Sequence, residues 1–326
     1  LKFIIRSGRG DAGGLEVNIA RQALNNHQYD KAETFFEKAL NGLSSNLGHA
    51  SNQNIFIAAV LEFSDLCFGM GRRFLTSQQF LEQASAVARH LGDKRSEAMT
   101  KLHLGRLLYL GGRRHEAVEL MEDAEKTINE LGDEDIRIRA AECIALYYYM
   151  LGRHSDAISH FETAIQAFEN KKGQASNVVG PFLYGYCCVY LGQFHKAIGY
   201  LDNEWRRAKR ESNQMLAITV RSVLGTVLLL IDKQQDAIAH LQGAYNEAAE
   251  NDNTLGKYLA GGGLSYGHYR NNDLKKAVER HNIRQQEFSN TGIVRQFSSP
   301  WVLEMLFDLQ RSEYHYYDDD VYYDHM

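Results

Sequence analysis

Proline is almost missing from this chain, at two residues in 326. With so few residues that lack a backbone donor and break helices, long uninterrupted helices meet little resistance. Cysteine is also scarce: Cys67, Cys143, Cys187 and Cys188 form no CxxC pair and no framework spacing. That excludes a disulfide-built scaffold and a thiolate zinc site, and the four read as small buried hydrophobes in a reducing compartment. No apolar run approaches the roughly 20 residues of a membrane-spanning helix, and no secretory leader is evident. A cytoplasmic location with no membrane partner is the expectation. The formal net charge of −5 argues against a general nucleic-acid surface. Signatures of catalysis are missing as well: there is no HExxH, no GxSxG and no Walker motif. His115, His154 and His195 sit at inter-helix turns rather than at ligand spacing. The sequence therefore predicts no enzyme, no metal and no cofactor.

What is present is a repeat. Hydrophobic residues make up 44% and charged residues 24%, enough for a buried core. Ala117, Ala157, Ala197, Ala237 and Ala277 follow one another at intervals of 40 residues. Twelve positions before each stands a small residue: Gly105, Ala145, Gly185, Gly225 and Ser265. Five before each stands a turn former: Gly112, Gly152, Gly192, Asp232 and Asn272. Four after come Met121, Phe161, Leu201, Leu241 and, out of pattern, His281. Helix, turn and helix recur, and a fixed period of this length means stacked supersecondary units. A small residue opposite an alanine lets two backbones approach, and the turn residue accepts the left-handed conformation that ends a helix.

Earlier units fit less well. Ile19, Ala20, Asn26, Ala32, Phe36 and Ala39 keep the register in the first. In the second, Gly71, Leu81 and Ala84 keep it, but Asp65 and Ser77 replace the small residue and the alanine. The polar stretch Asn41–Asn54 is expected to absorb the extra residues as a loop. Joints between units are expected at Leu91-Gly92-Asp93, Leu131-Gly132-Asp133, Lys171–Asn177 and Asn251–Asn253. Gly261-Gly262-Gly263 predicts local weakness, a hinge within a helix, or a place where a ligand approaches the backbone. The basic run Arg206-Arg207-Ala208-Lys209-Arg210 reads as a solvated helix face.

These residues resemble the tetratricopeptide repeat (TPR) over about residues 15–290, with a period of 40 in place of the usual length of about 34. The resemblance implies an all-α, TPR-like right-handed superhelix, a solenoid of seven helix-turn-helix hairpins plus a terminal helix at Pro300–Gln310. Residues 1–14 are expected to be a linker or the end of an upstream domain, 15–311 the repeat domain, and 312–326 an irregular acidic, tyrosine-rich tail. The helix PWVLEMLFDLQ following such an array is similar to a junction in sigma-54-dependent regulators, which implies a part in bacterial signalling or transcription regulation. In TPR arrays the first helices line a concave groove that takes peptides or protein segments. Residues spaced three and four apart share a helix face. On that face stand Arg106 and Tyr109, then Arg139, Glu142 and Tyr149, then Phe182, Tyr186 and Tyr190, then Thr226, and finally Tyr266 and Tyr269. Tyrosines with a few charges suit recognition, although aromatics at such positions also serve as packing between helices. The function implied is non-catalytic recognition of a protein or peptide in this groove. A small-molecule inducer held there is the alternative.

Overall fold

A computed structural model describes residues 12–170 and 179–289, and every regular element among them is an α-helix. The terminal helix at Pro300–Gln310, the tail and the Lys171–Asn177 joint lie outside the described residues. Seven hairpins follow in order. The first pairs α1 (Ala12–Asn25) with α2 (Tyr29–Ser44), and the second α3 (Ala50–Met70) with α4 (Phe74–Leu91). Next come α5 (Lys94–Leu110) with α6 (Arg114–Leu131), and α7 (Glu134–Met150) with α8 (His154–Asn170). The last three are α9 (Val179–Tyr190) with α10 (Phe194–Arg210), α11 (Gln214–Leu230) with α12 (Gln234–Glu250), and α13 (Thr254–Arg270) with α14 (Leu274–Ser289).

The helix ends follow the repeat. Gly92, Gly112, Gly132, Gly152, Gly192, Ser212, Asp232, Asp252 and Asn272 all adopt left-handed backbone, with φ between 47° and 81°. They stand 20 residues apart, except across the undescribed joint, so each helix stops where glycine or a tolerant polar residue permits the turn. Beside alternate members stands an N-cap. Asp93 accepts from the Ser96 amide at 3.1 Å, Asp133 from Asp135 at 2.9 Å, Asn213 from Leu216 at 3.1 Å and Asn253 from Gly256 at 2.8 Å. Each such cap contributes about 1 kcal/mol. The two carboxylates keep some solvent, whereas Asn213 and Asn253 are buried, where a neutral amide avoids desolvating a charge.

The small residues do what their register requires. A Cβ on Gly225 would lie 2.6 Å from Leu241 Cγ and 3.1 Å from the Ala237 carbonyl; one on Gly185 would lie 2.8 Å from Leu201 Cδ1. Ser265 donates its hydroxyl to the Ala277 carbonyl at 2.7 Å, using the same contact differently. In the second hairpin Asp65 departs from the pattern because it serves the next unit, accepting from Arg106 at 2.8 Å.

Several expectations change. The segment before α3 is only residues 45–49, because α2 and α3 extend into the polar stretch. α1 begins at Ala12, ahead of Leu15. The three glycines are buried inside α13, where Gly263 faces Leu241 and Thr226, while Gly261 and Gly262 leave room for the side chain of Arg284. α3 is long and apolar enough by composition to cross a membrane, yet most of it is buried as a core helix, with Glu62 paired to Arg21 at 2.6 Å. The basic run of α10 is a largely exposed face, as expected, with Arg206 paired to Asp202 at 2.8 Å and Arg207 to Glu204 at 2.5 Å.

The array also meets itself. Tyr29, the first residue of α2, donates its hydroxyl to Asn213 at 2.8 Å, at the joint after the fifth hairpin. Arg72, in the turn of the second, reaches Asp252 at 3.2 Å, at the joint after the sixth, while also holding Asp30 and Glu33. Gly71 packs against the backbone of Leu255. The superhelix therefore comes round on itself within five hairpins.

Candidate recognition surface

A cleft of about 370 Å³ runs across three consecutive first helices, α3, α5 and α7. Its floor is apolar, from Ile57 and Leu61 on α3, Met99 on α5 and Ile136 on α7. Arg95 and Arg139 stand at the rim. Asp135 holds both, at 3.4 Å and 2.9 Å, and Asp133 accepts from Arg95 at 3.1 Å. These acids lie at the N-terminus of α7, which also favours them electrostatically. The rim thus combines exposed guanidinium and carboxylate groups around a greasy floor, a combination suited to a chain segment with an apolar side chain and polar backbone.

Two helical turns beyond Met99 on α5 lies Arg106, which is 4% exposed. Its Nη2 donates to Ser64 at 3.0 Å and Asp65 at 2.8 Å, and its guanidinium lies over the Phe68 ring at 4.6 Å. His103 Nδ1 stands 3.1 Å from the same nitrogen, and burial together with the Arg106 charge pushes the imidazole down to about 4. His103 is thus neutral at pH 7 and accepts from Arg106. Arg106 Nε is buried without a hydrogen-bond partner.

The remaining positions separate by exposure. Arg139 is exposed, while Tyr109, Glu142, Tyr149, Tyr190 and Tyr269 are half-buried. Glu142 accepts from the Gly180 amide at 2.6 Å, tying α7 to α9. Tyr149 packs edge-on to Tyr190 at 6.0 Å and shares a hydrogen bond with it, and His154 stacks on Tyr190 at 4.2 Å. Burial drives the Tyr149 phenol far above its ordinary value, so it remains a neutral donor. Phe182, Tyr186, Thr226 and Tyr266 are buried, with Phe182 edge-on to Tyr186 at 6.4 Å and the Thr226 hydroxyl returned to the Ser222 carbonyl at 3.1 Å. Arg270 donates to the Tyr266 hydroxyl at 3.3 Å, and Tyr266 stacks with Tyr269 at 6.0 Å. Of the groove residues named from the sequence, Arg139 lines this cleft, as does Met99, which the same helix-face spacing places on α5 beside Arg106 and Tyr109.

Sequence reasoning missed the α3 wall. The spacing rule that selects Arg106 and Arg139 on their helices gives Asn54, Ile57, Leu61, Asp65 and Phe68 on α3, and the first three line the cleft. The signal was present but sat in the unit whose repeat register is poorest.

No protein-family profile matches the chain, and no curated protein matches it. Solved structures do. A Rap conjugation gene regulator of a plasmid, in complex with a Phr peptide, is 14% identical with a TM-score of 0.63, covering 95% of this chain and 81% of its own. A Rap protein complexed with Competence and Sporulation Factor is 12% identical at 0.60, with coverage of 92% and 86%. NprR in complex with its cognate peptide NprX is 17% identical at 0.59, with coverage of 98% and 89%. At such identities the likeness speaks to architecture. From the repeat register, the paired helices and these neighbours together, the chain has the fold of a TPR-like helical solenoid.

Proposed function

We propose that the chain is a non-catalytic peptide-recognition module of a regulatory protein, and that it holds a peptide segment in the cleft across α3, α5 and α7. The observation that carries this reading is the cleft itself, with an apolar floor between two exposed arginines and their acids. Three structures with the same architecture are of complexes, two with a peptide and one with Competence and Sporulation Factor, which supports the reading without assigning residues. The chemistry of the buried groups is consistent with it: Cys143 and Cys187 are pushed up to about 12 by burial, and His103 is held neutral, so none is poised as a nucleophile or base. The buried Arg106 and the half-buried Asp65 act as a strut that spaces α5 from α3. Arg139 and Arg95 meet the ligand.

Panning a displayed random-peptide library on the full chain tests this. A selected peptide is expected to lose about tenfold in affinity, 1.4 kcal/mol, on Met99→Asp and on Arg139→Glu. Leu75→Asp, at an exposed position on α4, is expected to change nothing. A library that yields no binder, or binders indifferent to Met99 and Arg139, contradicts the proposal.

A further inference from the structure

One guanidinium, that of Arg72, is shared by three carboxylates. It follows the end of α3 and donates through Nε to Glu33 at 2.7 Å, through Nη1 to Asp252 at 3.2 Å and through Nη2 to Asp30. Asp30 and Glu33 belong to the first hairpin, and Asp252 to the joint between the sixth and the seventh. The pairs therefore run across the seam where the superhelix meets itself. Arg73 also holds Glu33, at 3.1 Å, but both its partners, Glu33 and Glu37, lie on α2.

Along the seam lies a cleft of about 540 Å³, lined by residues 27–31 and 70 on one side and by residues 214, 215, 218 and 250–253 on the other. Apolar packing is interrupted there, so closure falls on contacts at the edge: Tyr29 to Asn213, Arg72 to Asp252, and Gly71 against Leu255. Without Arg72, the carboxylates of Asp30 and Asp252 would face each other across the seam and repel. Lys31 lines the same cleft, opposite Glu250, but a single ammonium replaces a three-way fork poorly. The backbone is unusual here too. Among the described residues six that are not glycine hold left-handed backbone, and His27, Arg73, Ser212 and Asp252 flank the seam. Side chains are disfavoured in that conformation, yet these four make the cross-seam bonds or stand within two residues of those that do.

One rigid element joins the seam to the recognition cleft. α3 runs unbroken from Ala50 to Met70, with Ile57 and Leu61 in the floor of the cleft across α3, α5 and α7 and Met70 in the seam. A shift of Arg72 against Asp252 is carried along α3 to Ile57, about 20 Å away at 1.5 Å per residue. We propose that Arg72 is the keystone of a ring: it holds the array shut and, through α3, positions the floor of the recognition cleft. The positioning role rests on the function proposed above; the closing role does not.

Distances between nitroxide labels test this, on cysteines introduced at Thr34 of α2 and Ala249 of α12, both exposed. The four native cysteines are buried. The otherwise native chain is expected to give one narrow distance distribution, and Arg72→Met a longer and broader one. Asp252→Asn removes only the partner across the seam and keeps a residue that tolerates left-handed backbone. It is expected to lengthen the distance in part, at an unchanged melting temperature, and it carries the test if Arg72→Met folds poorly. Salt at about 1 M, where the screening length falls to about 3 Å, should act in the same direction. A peptide selected on the full chain is expected to lose about tenfold in affinity on Arg72→Met, as when the competent form falls to about a tenth, although Arg72 lines no part of its cleft. Distances unchanged in both variants overturn the keystone role, whether or not a peptide is found. Longer distances with unchanged peptide affinity overturn the positioning of the cleft. A library that yields no binder counts against the recognition reading alone, and the distances still decide the ring.

Discussion

Glycine-to-alanine changes at two helical positions should move stability in opposite directions. In a solvated helix the change is favourable by about 1 kcal/mol, because alanine loses less backbone entropy. Gly199 on α10 meets that condition, since a Cβ there has nothing within 4 Å. Gly199→Ala is therefore expected to stabilise by about 0.5–1 kcal/mol. Gly225 lies where α11 approaches α12, with the Ala237 carbonyl 3.1 Å and Leu241 Cγ 2.6 Å from the site of the new atom. The leucine can rotate aside, but the carbonyl belongs to a helix and cannot. Overpacking of this kind costs about 1–3 kcal/mol, which exceeds or cancels the entropic gain and leaves Gly225→Ala neutral to about 2 kcal/mol destabilised. Urea midpoints at an unchanged m value measure both. A Gly225→Ala protein as stable as Gly199→Ala would show that the paired helices do not meet at the glycine, and the 40-residue register would lose its structural meaning.

Acid should weaken the fold. His103 titrates at about 4 and His281 at about 3 in the folded chain, both below the ordinary 6.5, so the unfolded chain binds more protons as pH falls from 6.5 towards 4. Stability is then complete above pH 6.5 and declines below it, by up to about 3 kcal/mol from His103 alone; a urea midpoint unchanged between pH 7 and 4.5 contradicts this. Cys67, Cys143, Cys187 and Cys188 are all buried with raised thiol values. A thiol reagent at pH 8 should modify them only in denaturant, and rapid labelling of the native chain would refute their burial. Arg106→Met strands the half-buried Asp65 and is expected to cost about 2–3 kcal/mol, with Asp65→Leu added to it recovering much of the loss; equal stability of single mutant and wild type excludes the strut role.

The architecture was legible because its determinants are local. An alanine, a small residue and a turn former at fixed offsets each answer a steric demand that does not depend on the rest of the chain. The Asp232 and Asn272 turns were readable for the same reason as the glycine turns. What escaped notice was long-range. Nothing near Tyr29 in sequence announces Asn213, 184 residues on, and Arg72 gives no hint of Asp252. The closure follows from summed rotations between hairpins, which no single motif encodes. Gly261-Gly262-Gly263 suggested weakness by propensity, but α11, α12 and α14 fill the space the glycines leave. Phe182 and Tyr186 carry the composition of a recognition surface and lie buried, since periodicity places a residue on a face without saying how closely neighbouring helices cover it.

Photo-crosslinking tests the proposed recognition surface most directly. A benzoylphenylalanine at position 139, on the rim of the cleft across α3, α5 and α7, and another at position 75, an exposed position on α4, would each be irradiated with a peptide selected on the full chain. The account predicts a crosslink from position 139, with the peptide's other contacts mapping to α3 and α5, and none from position 75. A peptide captured at position 75 and not at 139 would contradict it, because recognition would then lie away from the first helices.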